Sequence, residues 1–289
     1  MRLTDDTGVL EVIAAAPQLR TPDETEAFLD PMPLSELASM WCVLQRVSRR
    51  DQVGSIRALI LYFDHLPHRR PQEALDLVLE VLKTEADKPT VMQLNDKFLL
   101  ALLYAHGEEV IARIEHEAGH NDRLRWLLGG VHVAADDPLM SRLAEFADGE
   151  AWHADHLARR TPREPLDCAN MSTGALARAW VEQYSRSERD QDDNLFAIME
   201  FERDLREDDP DGMIDLILEI LKIEANPVLL SLLAAGPLED VISAGTIDRI
   251  EREARVNERF RDLLGGVWYY RAPDDVKTRL DALIGESRW

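Results

Sequence analysis

Cysteine is almost absent from this 289-residue sequence, which contains only Cys42 and Cys168. The two lie far apart, and neither belongs to a Cys-x-x-Cys pair. The sequence therefore offers no disulfide framework and no cysteine-based zinc site. We expect two reduced thiols, as in a cytoplasmic protein.

Long apolar runs are lacking as well. No run approaches the roughly 20 apolar residues that a membrane-spanning helix needs. The first residues do not show the basic region and apolar core of a signal peptide. Both absences favour a protein of the cytoplasm over a membrane protein or a secreted one.

Basic residues are scarce, because 33 Lys and Arg stand against 55 Asp and Glu, for a net charge of −22. A surface of this sign repels the phosphates of nucleic acids and the head groups of anionic membranes, so we expect neither as a partner. A basic protein would complement it, although acidity also serves solubility. The oligomeric state is not indicated.

The residue patterns of common enzymes are missing too. The Gly-Gly pairs at 129–130 and 265–266 lack the strand and the lysine of a phosphate-binding loop. No Ser-His-Asp or Cys-His arrangement can be recognised, and no pattern indicates a cofactor. We therefore predict no cofactor and favour a protein without enzymatic activity.

What the sequence does contain is an internal duplication, at an offset of 139 residues that becomes 136 after a three-residue gap. Ordered matches of this extent are typical of a repeated structural unit. The clearest matches are 37–41 with 176–180, 79–83 with 218–222, 113–115 with 249–251, and 127–131 with 263–267.

The duplication suggests a division of the chain. We predict an N-terminal helical extension at 1–33, repeat unit 1 at 34–147, a linker at 148–171, repeat unit 2 at 172–285 and a C-terminal tail at 286–289. A short helix is possible within the linker, near 152–159.

Each copy has the pattern of a string of helices. Pro71 and Pro210 stand at a first helical position, which their fixed φ favours. The following segments, 75–82 and 214–223, are apolar nearly all round, as expected of a helix buried in the middle of its unit. Since no alternating strand pattern occurs, we predict an all-α fold of two tandem homologous units, packed as an α-solenoid or an irregular bundle.

Several charged and aromatic residues recur in both copies. Arg113 and Arg249 are expected to bind carbonyls or carboxylates between helices, with a substrate anion as the alternative. Trp41 and Trp180 occupy apolar positions and are expected in the cores. The central helix carries one polar stripe, which either faces solvent or lines a groove: Asp76, Glu80 and Lys83 in copy one and Asp215, Glu219 and Lys222 in copy two.

Three motifs of copy two follow one another: Ala-Gly-Pro-Leu-Glu-Asp at 235–240, Ile-Asp-Arg-Ile-Glu at 247–251 and Leu-Gly-Gly-Val-Trp at 264–268. This succession resembles an uncharacterised family of small helical bacterial domains. The resemblance covers each copy separately and copy two more fully, because copy one has Tyr-Ala-His-Gly at 104–107 in place of the Gly-Pro step. It implies a helical fold and a bacterial source, but no activity.

One string suggests a metal site. His116, Glu117 and His120 fit His-Glu-x-x-His, in which two histidines bind zinc and the glutamate activates water. Glu145 lies at a distance suited to a third ligand. At the offset of 136, copy two has Arg252 in place of His116 and Val256 in place of His120, so the same helix occurs without either histidine. We therefore favour a chance match on an exposed helix over a zinc-dependent hydrolase.

Acidic residues concentrate in one part of copy two. Residues 188–224 hold 14 acidic and 4 basic residues, a net charge of −10. This cluster either keeps the protein soluble or docks a basic protein. Its members are Asp190, Asp192, Asp193, Glu200, Glu202, Asp204, Glu207, Asp208, Asp209 and Asp211.

The sequence thus favours a non-enzymatic helical interaction protein over the hydrolase. A concrete form is an inhibitor or immunity-type protein that covers a basic bacterial partner with the acidic part of copy two.

Overall fold

The computed structural model describes residues 9, 11–13, 18–131, 138–159 and 166–285. The predicted tail, 286–289, lies outside these residues. The chain divides into two compact units. Unit 1 comprises Met1–Val47, Asp51–Pro162 and Ser187–Arg189, and unit 2 comprises Ser48–Arg50, Arg163–Arg186 and Asp190–Trp289.

Every regular element in the described part of the chain is a helix, so the all-α prediction of two tandem units is confirmed. No helix found there is long and apolar enough to cross a membrane. The helices of unit 1 are α1 (Pro22–Leu29), α2 (Leu34–Arg46), α3 (Gly54–Arg69), α4 (Pro71–Thr84), α5 (Lys88–Leu94), α6 (Leu100–Ala118), α7 (Asp122–Leu128), α8 (Pro138–Ala144) and α9 (Gly149–Arg159).

The helices of unit 2 repeat this order. α2 to α5 correspond to α10 to α13, with the same number of residues in each pair, and α7 corresponds to α16. They are α10 (Thr173–Ser185), α11 (Asp193–Asp208), α12 (Pro210–Ile223), α13 (Pro227–Leu233), α14 (Glu239–Val241), α15 (Ile247–Val256), α16 (Glu258–Leu264) and α17 (Asp274–Ile284).

Matched residues begin the matched helices. Pro71 and Pro210 are the first residues of α4 and α12, as predicted. The side chain of Asn121 accepts a hydrogen bond from the backbone N–H of Leu124 at the start of α7, 3.1 Å away. Asn257 caps α16 in the same way. Such caps satisfy backbone donors that the first turn leaves unpaired.

The core of each unit surrounds its central helix, α4 or α12, whose apolar residues are almost fully buried. α2 packs on α4 and α10 packs on α12. Trp41 and Trp180 are buried at matched positions on α2 and α10, which confirms their predicted core role. The edge of Trp41 meets the ring of Phe98 at a centroid distance of 5.6 Å.

Both units contain a π-helical turn at the same place, Asn95–Leu99 in unit 1 and Ala234–Leu238 in unit 2. In unit 1 the chain then continues into the long helix α6, which is kinked at His106. In unit 2 the corresponding path is broken between α14 and α15. Copy one has three more residues than copy two in this stretch, and it forms one long helix where copy two forms two shorter ones.

The first part of the segment predicted as a linker is α9, which packs on α7 of unit 1. The indole ring of Trp152 lies against that of Trp126, with the centroids 4.9 Å apart. The carboxylate of Asp155 accepts hydrogen bonds from Lys88 Nζ at 2.6 Å and from Trp126 Nε1 at 2.9 Å. These contacts make α9 part of the packed body of unit 1.

Candidate functional site

The predicted acidic cluster lies on and around α11. Glu200, Asp204, Glu207 and Asp208 are exposed on this helix. Together with Phe196, Met199 and Arg203 they recur at alternating spacings of three and one, which places them on the outer face of the helix. Phe196 and Met199 are 61% and 48% exposed, unusually open for large apolar side chains.

Other members of the cluster have roles within unit 2. Asp192 caps α11 by accepting the N–H of Asn194 at 3.0 Å, and it pairs with Arg186 at 2.6 Å. Asp209 caps α12 through the N–H of Gly212. Asp211 lies 3.5 Å from Arg249. Asp190 and Asp193 flank the cap of α11, where Asp193 is half-buried.

Glu202 is a correction to the predicted docking surface. Its carboxylate accepts hydrogen bonds from Trp180 Nε1 at 2.6 Å and from the hydroxyl of Tyr184 at 2.9 Å. The two donor rings stack on each other, with centroids 4.3 Å apart. Burial raises the pKa of Glu202 and also raises that of Tyr184. Glu202 faces inward because these two donors hold it there.

The helix of unit 1 that corresponds to α11 is α3, and α3 is covered by α1. Leu29 of α1 is fully buried. Arg70, which follows α3, forms ion pairs with Glu26 of α1 and with Asp30, the latter at 3.2 Å. Leu61 and His65 of α3 lie along the cleft beside α1. An acidic helix thus lies on a basic and apolar face.

The face of α11 has the opposite charge at the same positions. By the offset of 139, Glu200 and Asp204 of unit 2 replace Leu61 and His65 of unit 1. Asp208 and Asp209 replace Arg69 and Arg70. In the described part of unit 2, the elements packed most closely on α11 are α10, α12 and the 3₁₀ turn Cys168–Asn170, which leaves this face open.

The polar stripe and the recurrent arginines come together in each unit. Arg113 forms an ion pair with Asp76, and Arg249 forms one with Asp215 at 2.6 Å. The interpretation of both arginines as ligands of carboxylates between helices is confirmed. Glu80 with Lys83, and Glu219 with Lys222, pair along the surface of the central helices. The arginine pairs therefore connect two helices of a unit, whereas each Glu–Lys pair lies within one helix.

The histidine motif is split by a helix end. His116 lies in the last turn of α6, which ends at Ala118, and His120 lies beyond it. Both histidines and Glu145 are exposed. Arg142 binds Glu115, directly before the motif, through two hydrogen bonds of 2.7 Å. Among the residues that the structure describes, no group of three or more His, Cys, Asp or Glu side chains is arranged to hold a metal ion.

A cavity of about 580 Å³ in unit 2 was not predicted from the sequence. It lies where Gly265 and Gly266, at the end of α16, approach Ala234 of the π-helical turn. Trp268 and Tyr270 at its edge are 73% and 62% exposed. The remaining lining residues are Leu230, Ser231, Val267, Tyr269, Lys277, Asp281 and Ile284.

The sequence signal for this cavity was the Leu-Gly-Gly-Val-Trp motif itself. The two adjacent glycines have no side chains, so their backbone stays accessible, and the exposed ring of Trp268 follows two residues later. The sequence pattern alone identified the glycines as a helix end, because the π-helical turn that faces them is distant along the chain.

Comparison with known protein families identifies a match in both copies. The family of unknown function DUF6869 matches residues 59–151 and residues 184–287. No curated protein and no solved structure is significantly similar to the chain. Because the two matches together cover more than half of the sequence, the protein belongs to this uncharacterised family, of which it carries two copies.

Proposed function

We propose that this protein is a non-enzymatic interaction module, in which the outer face of α11 binds a basic amphipathic helix of a partner protein. One observation carries the proposal. The face that is basic in unit 1, and is covered there by an acidic helix, is acidic in unit 2, where the described residues leave it open. A helix of opposite charge is the occupant that such a surface complements.

Apolar side chains give this face an anchor as well as a charge. Phe196 and Met199 are exposed next to Glu200 on this face. Buried aromatic and apolar anchors provide most of the affinity of protein interfaces, whereas charges at the edge mainly speed association. The arrangement therefore suits a helix with apolar residues on one side and Lys or Arg beside them.

A basic bacterial protein that is held inactive by this contact would make the chain an inhibitor or immunity-type protein. We place the interaction in the cytoplasm, since both cysteines are buried as free thiols, a state typical of a reducing compartment. Residues 160–165 lie outside the described residues, and the proposal concerns a separate partner molecule.

The test removes charge from the face without changing its shape. The triple variant Glu200→Gln, Asp204→Asn, Asp208→Asn replaces three exposed carboxylates by amides of the same size. The control variant Glu258→Gln, Asp262→Asn, Asp275→Asn makes the same chemical change at exposed positions away from α11. Tagged full-length chains capture basic proteins from an extract of the source organism, and each captured protein is then purified for kinetics.

Wild type and control are expected to retain the same basic partner at low salt, and the triple variant is expected to lose it. With purified partner, the triple variant should slow association about ten-fold, and added salt should abolish the difference, because the Debye length falls from about 30 Å at 0.01 M to about 8 Å at 0.15 M. Phe196→Ala should instead speed dissociation. Equal capture by the triple variant at low salt would contradict the proposal.

A further inference from the structure

The cavity at Gly265 and Gly266 has a counterpart in unit 1. By the offsets of the duplication, Gly129 and Gly130 correspond to these glycines, and Asn95 of the π-helical turn corresponds to Ala234. The side-chain amide of Asn95 donates a hydrogen bond of 2.8 Å to the carbonyl oxygen of Leu127. The same junction of a π-helical turn with a glycine pair therefore occurs in both units.

In unit 1 a tryptophan ring fills this junction. A Cβ atom placed on Gly130 would overlap the indole of Trp152 and would lie 2.6 Å from Asn95 Nδ2. Trp152 comes from α9, and its ring also packs against Trp126. Gly130 thus has no side chain because an indole ring occupies the space where the side chain would be.

In unit 2 the described residues leave this space open. The nearest atom to a Cβ placed on Gly266 is the Cβ of Ala234, at 3.2 Å. The lining of the cavity includes Leu230 and Ile284, together with Trp268 and Asp281. Its volume falls within the range of about 300–1,000 Å³ that is typical of ligand pockets.

The chemistry of the lining also suits an aromatic ring with one polar atom. Asp281 accepts a hydrogen bond from the hydroxyl of Tyr269 at 2.7 Å, and a carboxylate can accept further donors such as an indole N–H. The rings of Trp268 and Tyr270 offer edges and faces for stacking. A π-helical turn inside an α-helix frequently marks a functional site.

We propose that the cavity of unit 2 is a binding site for the indole side chain of a tryptophan, which occupies it as Trp152 occupies the junction of unit 1. This site is separate from the face of α11 and does not depend on the function proposed for that face. The tryptophan comes either from another molecule or from residues 286–289 of this chain, which include Trp289.

The probe is N-acetyl-L-tryptophanamide, titrated into the ¹⁵N-labelled full-length chain. The backbone amides of Gly265 and Gly266 and the indole N–H of Trp268 should shift and saturate together, whereas the amides of Gly129 and Gly130 should not move. N-acetyl-L-leucinamide, which lacks a ring, is the control ligand and should cause no saturable shift.

Two changes to the protein complete the experiment. Ser231→Trp places a bulky ring at the wall of the cavity and should weaken binding about ten-fold or more. Ser231→Ala keeps the cavity open and should bind like wild type. The same titration is repeated with a chain that ends at Gly285.

The outcomes separate the two sources of tryptophan. Binding by both the full-length and the shortened chain assigns the site to a tryptophan of another molecule. Binding by the shortened chain alone shows that a residue of 286–289 competes for the cavity, and the occupant is then Trp289. Absence of binding by both chains, or equal binding by the Ser231→Trp variant, would overturn the proposal.

Discussion

Glu202 illustrates how one residue can change the chemistry of a duplicated core. Its counterpart in unit 1 is Phe63, a fully buried apolar side chain. In unit 2 the carboxylate takes that place and is held by the donors of Trp180 and Tyr184. Hydrogen bonds from both donors favour the charged form, but burial has the larger effect and raises the pKa above its ordinary value of 4.5.

This shift predicts a dependence of stability on pH. Since the pKa of Glu202 is higher in the folded state, the folded state holds the proton more tightly, and the resulting stability is lost as the pH rises from 4.5 through the folded-state pKa. The stability lost in this way amounts to about 1.4 kcal/mol for each unit of pKa shift. The Glu202→Gln variant does not titrate and therefore does not lose it. The free energy of unfolding in urea should therefore show a larger gain in the variant at pH 8 than at pH 5.

Glu200→Gln is the matched control for this measurement, because Glu200 lies exposed on the same helix. A difference between the Glu202→Gln variant and wild type that is the same at both pH values would contradict a buried carboxylate with a raised pKa.

At the scale of elements, the two glycine junctions differ although their sequences agree. Both pairs end a helix with right-handed backbone angles, so positive φ does not explain the conservation of glycine between the copies. In unit 1 the reason is the close approach of α9. In unit 2 the corresponding space is the cavity.

Alanine at the second glycine of each pair should therefore destabilise unit 1 much more than unit 2. Gly130→Ala forces a methyl group into the ring of Trp152 and should lower the free energy of unfolding by about 1–3 kcal/mol. In the Gly266→Ala variant the new methyl group would lie 3.2 Å from the Cβ of Ala234. The free energy of unfolding should change by less than about 1 kcal/mol, because alanine also reduces the conformational freedom of the unfolded chain. Thermal and urea unfolding check both variants, and equal losses would show that the units are packed alike here.

At the scale of the whole molecule, the charge is shared unequally between the copies. Residues 34–147 have 17 acidic and 13 basic residues, and residues 172–285 have 25 and 14. In unit 1 the outer face of α3 is covered by α1, whose Glu26 forms an ion pair with Arg70. The excess charge of copy two lies largely around α11, the helix whose outer face the described residues of unit 2 leave open.

The zinc content of the purified protein distinguishes the proposed interaction module from the alternative, a zinc-dependent hydrolase that uses His116, Glu117 and His120. We expect purified protein to bind zinc no better than the double variant His116→Ala, His120→Ala, since His120 lies beyond the end of α6 and Glu145 is exposed rather than gathered into a site. Elemental analysis after dialysis measures this. Stoichiometric zinc that disappears in the double variant would favour the hydrolase.

The sequence by itself determined the helical class, the duplication, the buried central helices and the arginine pairs. These features follow from local periodicity and from matches between copies, which are properties of the linear order. The sequence also located the acidic cluster, but it could not separate Glu202 from its exposed neighbours. A shift of one position along a helix decides whether a carboxylate faces water or faces the indole N–H of Trp180 and the hydroxyl of Tyr184.

Only the tertiary structure decided which surfaces are covered. α1 lies on α3 and α9 lies on the glycine pair of unit 1 through contacts between residues distant in sequence, and the described residues of unit 2 leave both counterparts open. Matched sequences thus form a filled junction in one unit and a cavity in the other. The physical reason is that burial depends on what packs against a residue, which periodicity and spacing do not specify.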